Sequence, residues 1–357
     1  MAPALPAASR PPRSIFVLRN NDIGDLLAIT PLFEALRRHF PETLTAAGVG
    51  SWNLPVLQHN PYISEVLTIN APWFNKYQDQ RAPWRRFLYL WRSPEVQELA
   101  RRHFEVGIDV LGSGWGSLLM LRAGIPYRLG VRGYAGGHSA VHAAVTFNPS
   151  EHVGRSALRF AELLGATQLP PCRPQLFLTA EEAAAGERWW AAAEGGSWRP
   201  RVVIGPGAGL AAKCWPAESF VALAAGLAAT GDLTLLGLGS AREGDLVAAV
   251  ALAAGGCGHA ETPSLRTVFA LVAASDIVVC NSSMLLHVAA AFGRPTVVLL
   301  GRAFPSASLH QAQWGYPGIS QSLGREPGQR EDVTTPAAAL RIVREQLTKL
   351  AARSPRA

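Results

Sequence analysis

The sequence predicts an α/β protein of two domains, each an open parallel sheet with helices on its faces. Three observations carry this. Short β-branched runs alternate with segments whose apolar residues recur at helical spacing. A proline-rich crossing at residues 166–178 interrupts the alternation, which then restarts. A length of 357 residues is enough to bury two cores of ordinary size.

In the first half, residues 14–18 read as a strand and 24–39 as the helix after it, with Leu26, Leu27, Ile29, Leu32, Phe33 and Leu36 on its apolar stripe. The intervening loop, R-N-N-D-I-G-D, has neither the G-x-G-x-x-G of a dinucleotide-binding turn nor the G-x-x-x-x-G-K-[ST] of a P-loop. A dehydrogenase and an ATPase therefore lose ground. Of the loop's residues, Asp25 puts a carboxylate in the first turn of a helix at the rim of a sheet, where it either serves chemistry or only complements the helix dipole. Strands at 43–49, 63–68 and 106–110 and a helix at 94–104 follow. Residues 72–92 interleave Trp73, Trp84, Phe87, Tyr89 and Trp91 with Lys76, Arg81, Arg85, Arg86 and Arg92. Aromatics among cations suit a bilayer interface or an acidic glycolipid, and equally a loop and helix packed by their tryptophans.

The second half opens with a helix at 179–193 and a strand at 202–204. A glycine-rich loop, 205–213, ends in Lys213 before the helix 216–229, and the strand 233–236 ends in a loop, 237–243, that closes on Glu243. After a helix at 265–274 comes D-I-V-V-C-N-S-S-M-L-L-H-V-A-A-A-F-G-R-P-T-V-V-L-L-G, residues 276–301. This reads as strand, polar corner, about two helical turns ended by Gly293, and a second strand. A last amphipathic helix spans 336–353. Ligands of open parallel sheets bind where loops leave the carboxyl ends of strands, and a helix beginning there favours an anion. Three loops (205–213, 237–243 and 281–284) thus converge on one sheet edge. Small residues such as Gly207 let a ligand approach the backbone, and Lys213 adds a cation. Any one of these loops alone is equally a simple turn; three in order point to a nucleotide diphosphate.

Four cysteines, Cys172, Cys214, Cys257 and Cys280, form no C-x-x-C pair or Cys/His cluster, so a reducing cytoplasm with buried free thiols is expected, and no metal framework. The net charge of +7, most of it in the first half, is compatible with phosphate-bearing partners, an anionic membrane or nucleic acid. No zinc-finger, RRM or basic-helix signature supports nucleic acid. Residues 1–13 lack the apolar core of a signal peptide, and no run of about 18 apolar residues follows. The expectation is a soluble cytoplasmic protein, at most peripheral at the inner face of the cytoplasmic membrane.

Three segments then resemble glycosyltransferase family 9, the heptosyltransferases. They are L-R-N-N-D-I-G-D-L-L-A-I-T-P-L-F-E-A-L-R-R-H-F-P (18–41), P-G-A-G-L-A-A-K-C-W-P (206–216) and N-S-S-M-L-L-H-V-A-A-A-F-G-R-P-T-V-V-L-L-G from Asn281. The resemblance implies a GT-B fold, two Rossmann-like domains with parallel sheets facing a central cleft. Residues 1–13 would be a disordered leader, 14–170 the acceptor domain, 171–334 the nucleotide-sugar domain, and 335–357 a helix and tail able to pack back on the N-terminal domain. It implies inverting, metal-independent transfer of a sugar, heptose from ADP-heptose, to a lipopolysaccharide core or related glycolipid or glycan acceptor, with no cofactor beyond the donor substrate. Asp25 would be the general base, Lys213 a phosphate contact and Glu243 a contact to the ribose hydroxyls. Gly207, Ser282, Ser283, Met284 and His287 would complete the donor site. The chain departs from the family where Ser282-Ser283-Met284 replace the usual Asp-Ser/Thr-Gly. That change suggests the alternative of a nucleotide-sugar-binding protein without turnover, against which the intact Asp25 and Lys213 argue.

Overall fold

The structure, a computed structural model, describes residues 10–78, 82–229, 233–329 and 333–353. Most of the expected leader (1–9), Arg81 and the last four residues of the tail lie outside the described residues. The chain divides into two compact units, Met1–Phe177 and Leu178–Ala357.

The first unit runs β1 (Ser14–Leu18), α1 (Ile23–Ile29), α2 (Pro31–His39), β2 (Leu44–Val49), α3 (Leu54–Leu57), β3 (Glu65–Thr68), α4 (Pro83–Arg92), α5 (Pro94–Arg101), β4 (Val106–Asp109), α6 (Gly114–Arg122), β5 (Tyr127–Arg132), β6 (Ala143–Thr146) and α7 (Val153–Leu163). All its strands are parallel, in the order β3-β2-β1-β4-β5-β6. Ile15 to Leu18 are buried throughout, as a central strand covered on both faces requires. Phe16, Leu18, Trp73, Leu99, Phe104 and Met120 share one core. The single helix expected over 24–39 is two. Pro31 has no N–H to give the preceding turn, so α1 closes at Ile29 and Pro31 opens α2, while the apolar stripe runs on across the break. The helix expected to reach residue 104 ends at Arg101, because His103 takes a positive φ of 51°.

The second unit runs α8 (Ala180–Ala193), β7 (Arg201–Gly205), α9 (Ala217–Ala228), β8 (Thr234–Leu238), α10 (Gly244–Ala253), β9 (Gly258–Glu261), α11 (Leu265–Ala273), β10 (Ile277–Cys280), α12 (Met284–Ala291), β11 (Thr296–Leu299), α13 (Ala307–Trp314), β12 (Ser320–Leu323) and α14 (Pro336–Arg353). Thr179 and Glu182 form a capping box at the start of α8. The sheet is again parallel, ordered β12-β11-β10-β7-β8-β9. Val202, Ile204, Trp215, Phe220, Leu235, Val279 and Val297 build its core. The closing helix, expected to be able to return to the N-terminal domain, puts Ala339 and Val343 into this second core and packs on α9. No helix among the described residues is long and apolar enough to cross a membrane.

Both units therefore have the doubly wound order in which the winding reverses at the centre, between β1 and β4 in one and between β7 and β10 in the other. The carboxyl ends flanking such a reversal are where this architecture leaves a crevice for ligands.

Candidate functional site

In the first unit the register aligns Leu18 at the end of β1 with Asp109 at the end of β4. The loop after β1 is fixed by two buried asparagines. Asn20 Nδ2 donates to the Trp73 carbonyl at 3.4 Å and Asn21 Nδ2 to the Phe74 carbonyl at 2.7 Å. The Asn21 carbonyl accepts from Trp52 Nε1 and Asn53 Nδ2, each at 2.9 Å. Asp25 follows in the first turn of α1. Its carboxylate lies 3.4 Å from Arg19, whose side chain is buried, while Asp25 itself keeps 29% of its side-chain surface exposed. A charge held on one side by a buried guanidinium and open on the other is oriented and still reachable. Asp109 is fully inside and accepts from Ser113 N at 2.8 Å. Burial raises its carboxyl from 3.8 to about 6, opposed by the backbone N–H groups of Ser113, Gly112 and Leu111 and by the charge of Arg19. Arg19 thus serves two carboxylates. Reasoning from the sequence quoted Arg19 only as part of a motif and missed Asp109, since one aspartate at the end of a strand carries no pattern.

In the second unit the ends of β7 and β10 align as Gly205 with Cys280, so the loops after them leave side by side. Buried Asn281 joins them: Nδ2 donates to the Pro206 carbonyl at 2.6 Å, and Oδ1 accepts from Trp215 N at 2.8 Å. Glu243, beyond β8, accepts from the N and Oγ of Ser240 at 2.8 and 2.7 Å and lies against Gly207. A Cβ at Gly207 would stand 1.7 Å from Glu243 Oε1, so this position admits only glycine while the carboxylate stays there.

Lys213 ends a 3₁₀ turn that is clamped by the segment following β11. Gly301 N donates to the Lys213 carbonyl at 3.2 Å and Ala303 N to Ala212 at 2.9 Å. The Lys213 ammonium is 5.9 Å from the centre of the Phe304 ring, which in turn stands edge-on to His310. His310 is buried on α13, with Nε2 2.9 Å from Ser282 Oγ and Nδ1 2.8 Å from Ser322 Oγ. Burial first, and the nearby Lys213 charge second, push its imidazole from 6.5 down to about 3.

Gly207, Glu243, Lys213 and Ser282 are thus brought together through Asn281, Phe304 and His310, with Ser283 and Met284 opening α12 beside them. His287 lies further along α12 and is buried, with Nδ1 2.6 Å from the Tyr316 hydroxyl. Asn281 entered the sequence reading only as the first residue of its loop, and His310 escaped it, because their partners lie 12 to 75 residues away. Among the described residues no three His, Cys, Asp or Glu side chains gather as a metal site would need.

The free N–H groups and positive dipole end of α12, beside the cation of Lys213, can receive a polyanion such as a diphosphate. In the other unit, a carboxylate set at the sheet rim can accept a proton.

The fold is shared with solved structures. One is E. coli ADP-heptose LPS heptosyltransferase II, at 20% identity and TM-score 0.72, covering 95% of this chain and 99% of that one. A second is the family 9 glycosyl transferase from Veillonella parvula, at 17% identity and TM-score 0.75, covering 94% and 98%. A third is the E. coli heptosyltransferase WaaC with ADP, at 17% identity and TM-score 0.70, covering 95% and 99%. The comparison with curated proteins finds no match. The family model described as glycosyltransferase family 9 (heptosyltransferase) matches residues 95–308, more than half of the sequence, from before β4 to beyond β11. The chain belongs to glycosyltransferase family 9, and is a glycosyltransferase of the heptosyltransferase type.

Proposed function

We propose that this enzyme transfers heptose from ADP-heptose to a lipopolysaccharide core or related glycoconjugate, with inversion at the anomeric carbon and without a metal ion. Asp25 removes the proton of the acceptor hydroxyl as its oxygen attacks the anomeric carbon. The bond from that carbon to the diphosphate oxygen breaks, and ADP leaves with the bonding pair. Lys213 and the N–H groups opening α12 meet the charge that develops on the leaving group, Glu243 binds the ribose hydroxyls, and His287 belongs to the donor loop. The first unit supplies the base and the second the donor site. The donor's identity is supported by the likeness to WaaC, solved with ADP. The same reading puts the reaction in the cytoplasm, on a lipid-borne acceptor at the inner face of the membrane.

The observation that carries this reading is the part-exposed Asp25 held by buried Arg19 at the reversal point of its sheet. The test is turnover of Asp25→Asn with ADP-heptose and a core acceptor, beside a melting curve. Asparagine keeps the size and cannot take the proton, so transfer should fall on the order of 10²–10⁴-fold while melting and ADP binding stay near wild type. An aspartate that only complements the dipole of α1 would instead contribute about 0.3–1 kcal/mol to stability and nothing to turnover. A variant that melts earlier yet transfers at the wild-type rate defeats the assignment. Wild-type enzyme that binds ADP-heptose and transfers nothing would be a binding protein of this fold.

A further inference from the structure

Helix α4 is amphipathic with its apolar face turned to solvent. Trp84, Phe87, Leu88 and Trp91 recur at i, i+3, i+4 and i+7, the spacing of a face that ordinarily covers a core. Here those four are 61, 55, 42 and 60% exposed. The opposite side of the helix is the one that packs. Leu90 is buried in the first unit's core, and the Tyr89 hydroxyl donates to Glu95. Next to α4, α6 meets the stripe through Trp115, edge-on to Phe87 at 4.9 Å, and exposes Leu118 and Leu121 one and two turns further along. Trp73, expected with the exposed aromatics, is instead part of the core.

Charge identifies the occupant. The helix, P-W-R-R-F-L-Y-L-W-R, carries three arginines and no acid. Arg85 lies over the Trp84 ring at 5.8 Å, and Arg122 ends α6. The first acid after α4, Glu95, is occupied inward by Tyr89 and by the N and Nδ2 of Asn70 at 2.7 and 3.0 Å. Beside the stripe is a shallow depression of about 550 Å³ bounded by Trp84, Arg85, Leu88, Arg92, Asn70 and Ser93. Tryptophans level with guanidiniums match a headgroup layer, where rings enter the interface and arginines meet phosphates. A second copy of the chain fits poorly, because a two-fold contact would set these arginines against their own counterparts.

We infer that the solvent face of α4, extended by Leu118 and Leu121 of α6, docks on an anionic lipid bilayer. Trp84, Phe87 and Trp91 lie in the interface, and Arg85 and Arg92 contact lipid phosphates. The test is co-sedimentation of the full chain with phosphatidylglycerol/phosphatidylcholine vesicles and with pure phosphatidylcholine. Binding to the anionic vesicles should exceed binding to the neutral ones and fall with salt. Each cation near such a surface strengthens binding about fivefold, so R85Q/R92Q should bind roughly 30-fold more weakly. W84S/W91S should also lose binding, with an unchanged melting temperature because both side chains are exposed. Equal sedimentation with the two vesicle types, or wild-type binding by either double variant, overturns the inference. So does concentration-dependent dimerisation abolished by W84S/W91S with no binding to vesicles, which would assign the face to a second copy.

Discussion

Asp109 and His310 are buried titratable groups in different units, and burial moves them in opposite directions. For Asp109 the folded value is about 6 against an ordinary 3.8. Between these values the folded chain holds a proton that the unfolded chain has released, so this group's contribution falls as pH rises from about 4 to about 6. Two units at about 1.36 kcal/mol each amount to roughly 3 kcal/mol. For His310 the folded value is about 3 against 6.5. Here the unfolded chain holds the proton and the folded chain has lost it, so stability rises with pH across the same interval. Each group contributes one proton of opposite sign, and in the wild type the two slopes cancel. Asp109→Asn removes one of them. At pH 4 the folded wild type holds a neutral carboxyl, whose single carbonyl oxygen and size asparagine matches, so the variant should start near wild type there. Its stability relative to wild type should then climb by about 3 kcal/mol by pH 6.5. His310→Gln should drift the other way, falling relative to wild type as pH rises. Urea denaturation of the full chain at closely spaced pH values reads both differences. A pH-independent difference for Asp109→Asn would mean that its carboxyl is ionised throughout this range, and would refute the reasoning from burial.

Lys213→Ala should weaken ADP binding by about 10- to 100-fold, the worth of one hydrogen bond to a charged group, and an unchanged Kd by calorimetry would remove Lys213 from the phosphates. Asn281→Ala strands the buried Trp215 N–H and Pro206 carbonyl, and should cost about 2–5 kcal/mol in chemical denaturation; a loss within experimental error would mean that these bonds do not brace the loops. Gly207→Ala should expel the Glu243 carboxylate from its place, so adding Glu243→Ala should change nucleotide affinity little further. Fully additive effects in that double-mutant cycle would show the two positions to be independent.

What the sequence made legible is local. The runs I-F-V-L and I-V-V-C become buried central strands because nothing but apolar surface lies on either side of them. Likewise Thr179 with Glu182 is a cap spelled within four residues. The break between α1 and α2 was equally written in Pro31, but the apolar stripe continuing across it reads as one helix, since a stripe records which side faces the core and not whether the backbone bonds run on. Trp73 and Trp84 look alike in a stretch of mixed aromatics and cations. Only the packing of Phe16, Leu99 and Phe104 around Trp73 separates the buried ring from the exposed one. The bonds of Asn281 and His310 were beyond such reading for a different reason. A hydrogen bond to Pro206 or Ser282 is set by which strands become neighbours, and the reversal between β7 and β10 brings together residues far apart in the chain.

The Ser282-Ser283-Met284 corner, where a carboxylate would follow from the family pattern, is accommodated through His310. A neutral imidazole has one donor and one acceptor nitrogen, so Ser282 and Ser322 cannot play the same part: one hydroxyl donates to the ring and the other accepts from it. Lys213 helps to keep the ring neutral, since a proton on His310 would add a second cation in a buried place. An aspartate at 282 would reverse that balance, favouring the imidazolium and placing a negative charge beside the start of α12. With serine there, the corner itself contributes dipoles only. The positive field from Lys213 and the N-terminus of α12 is then not offset by a carboxylate at this point, which is the condition under which a helix start and one lysine hold an anion.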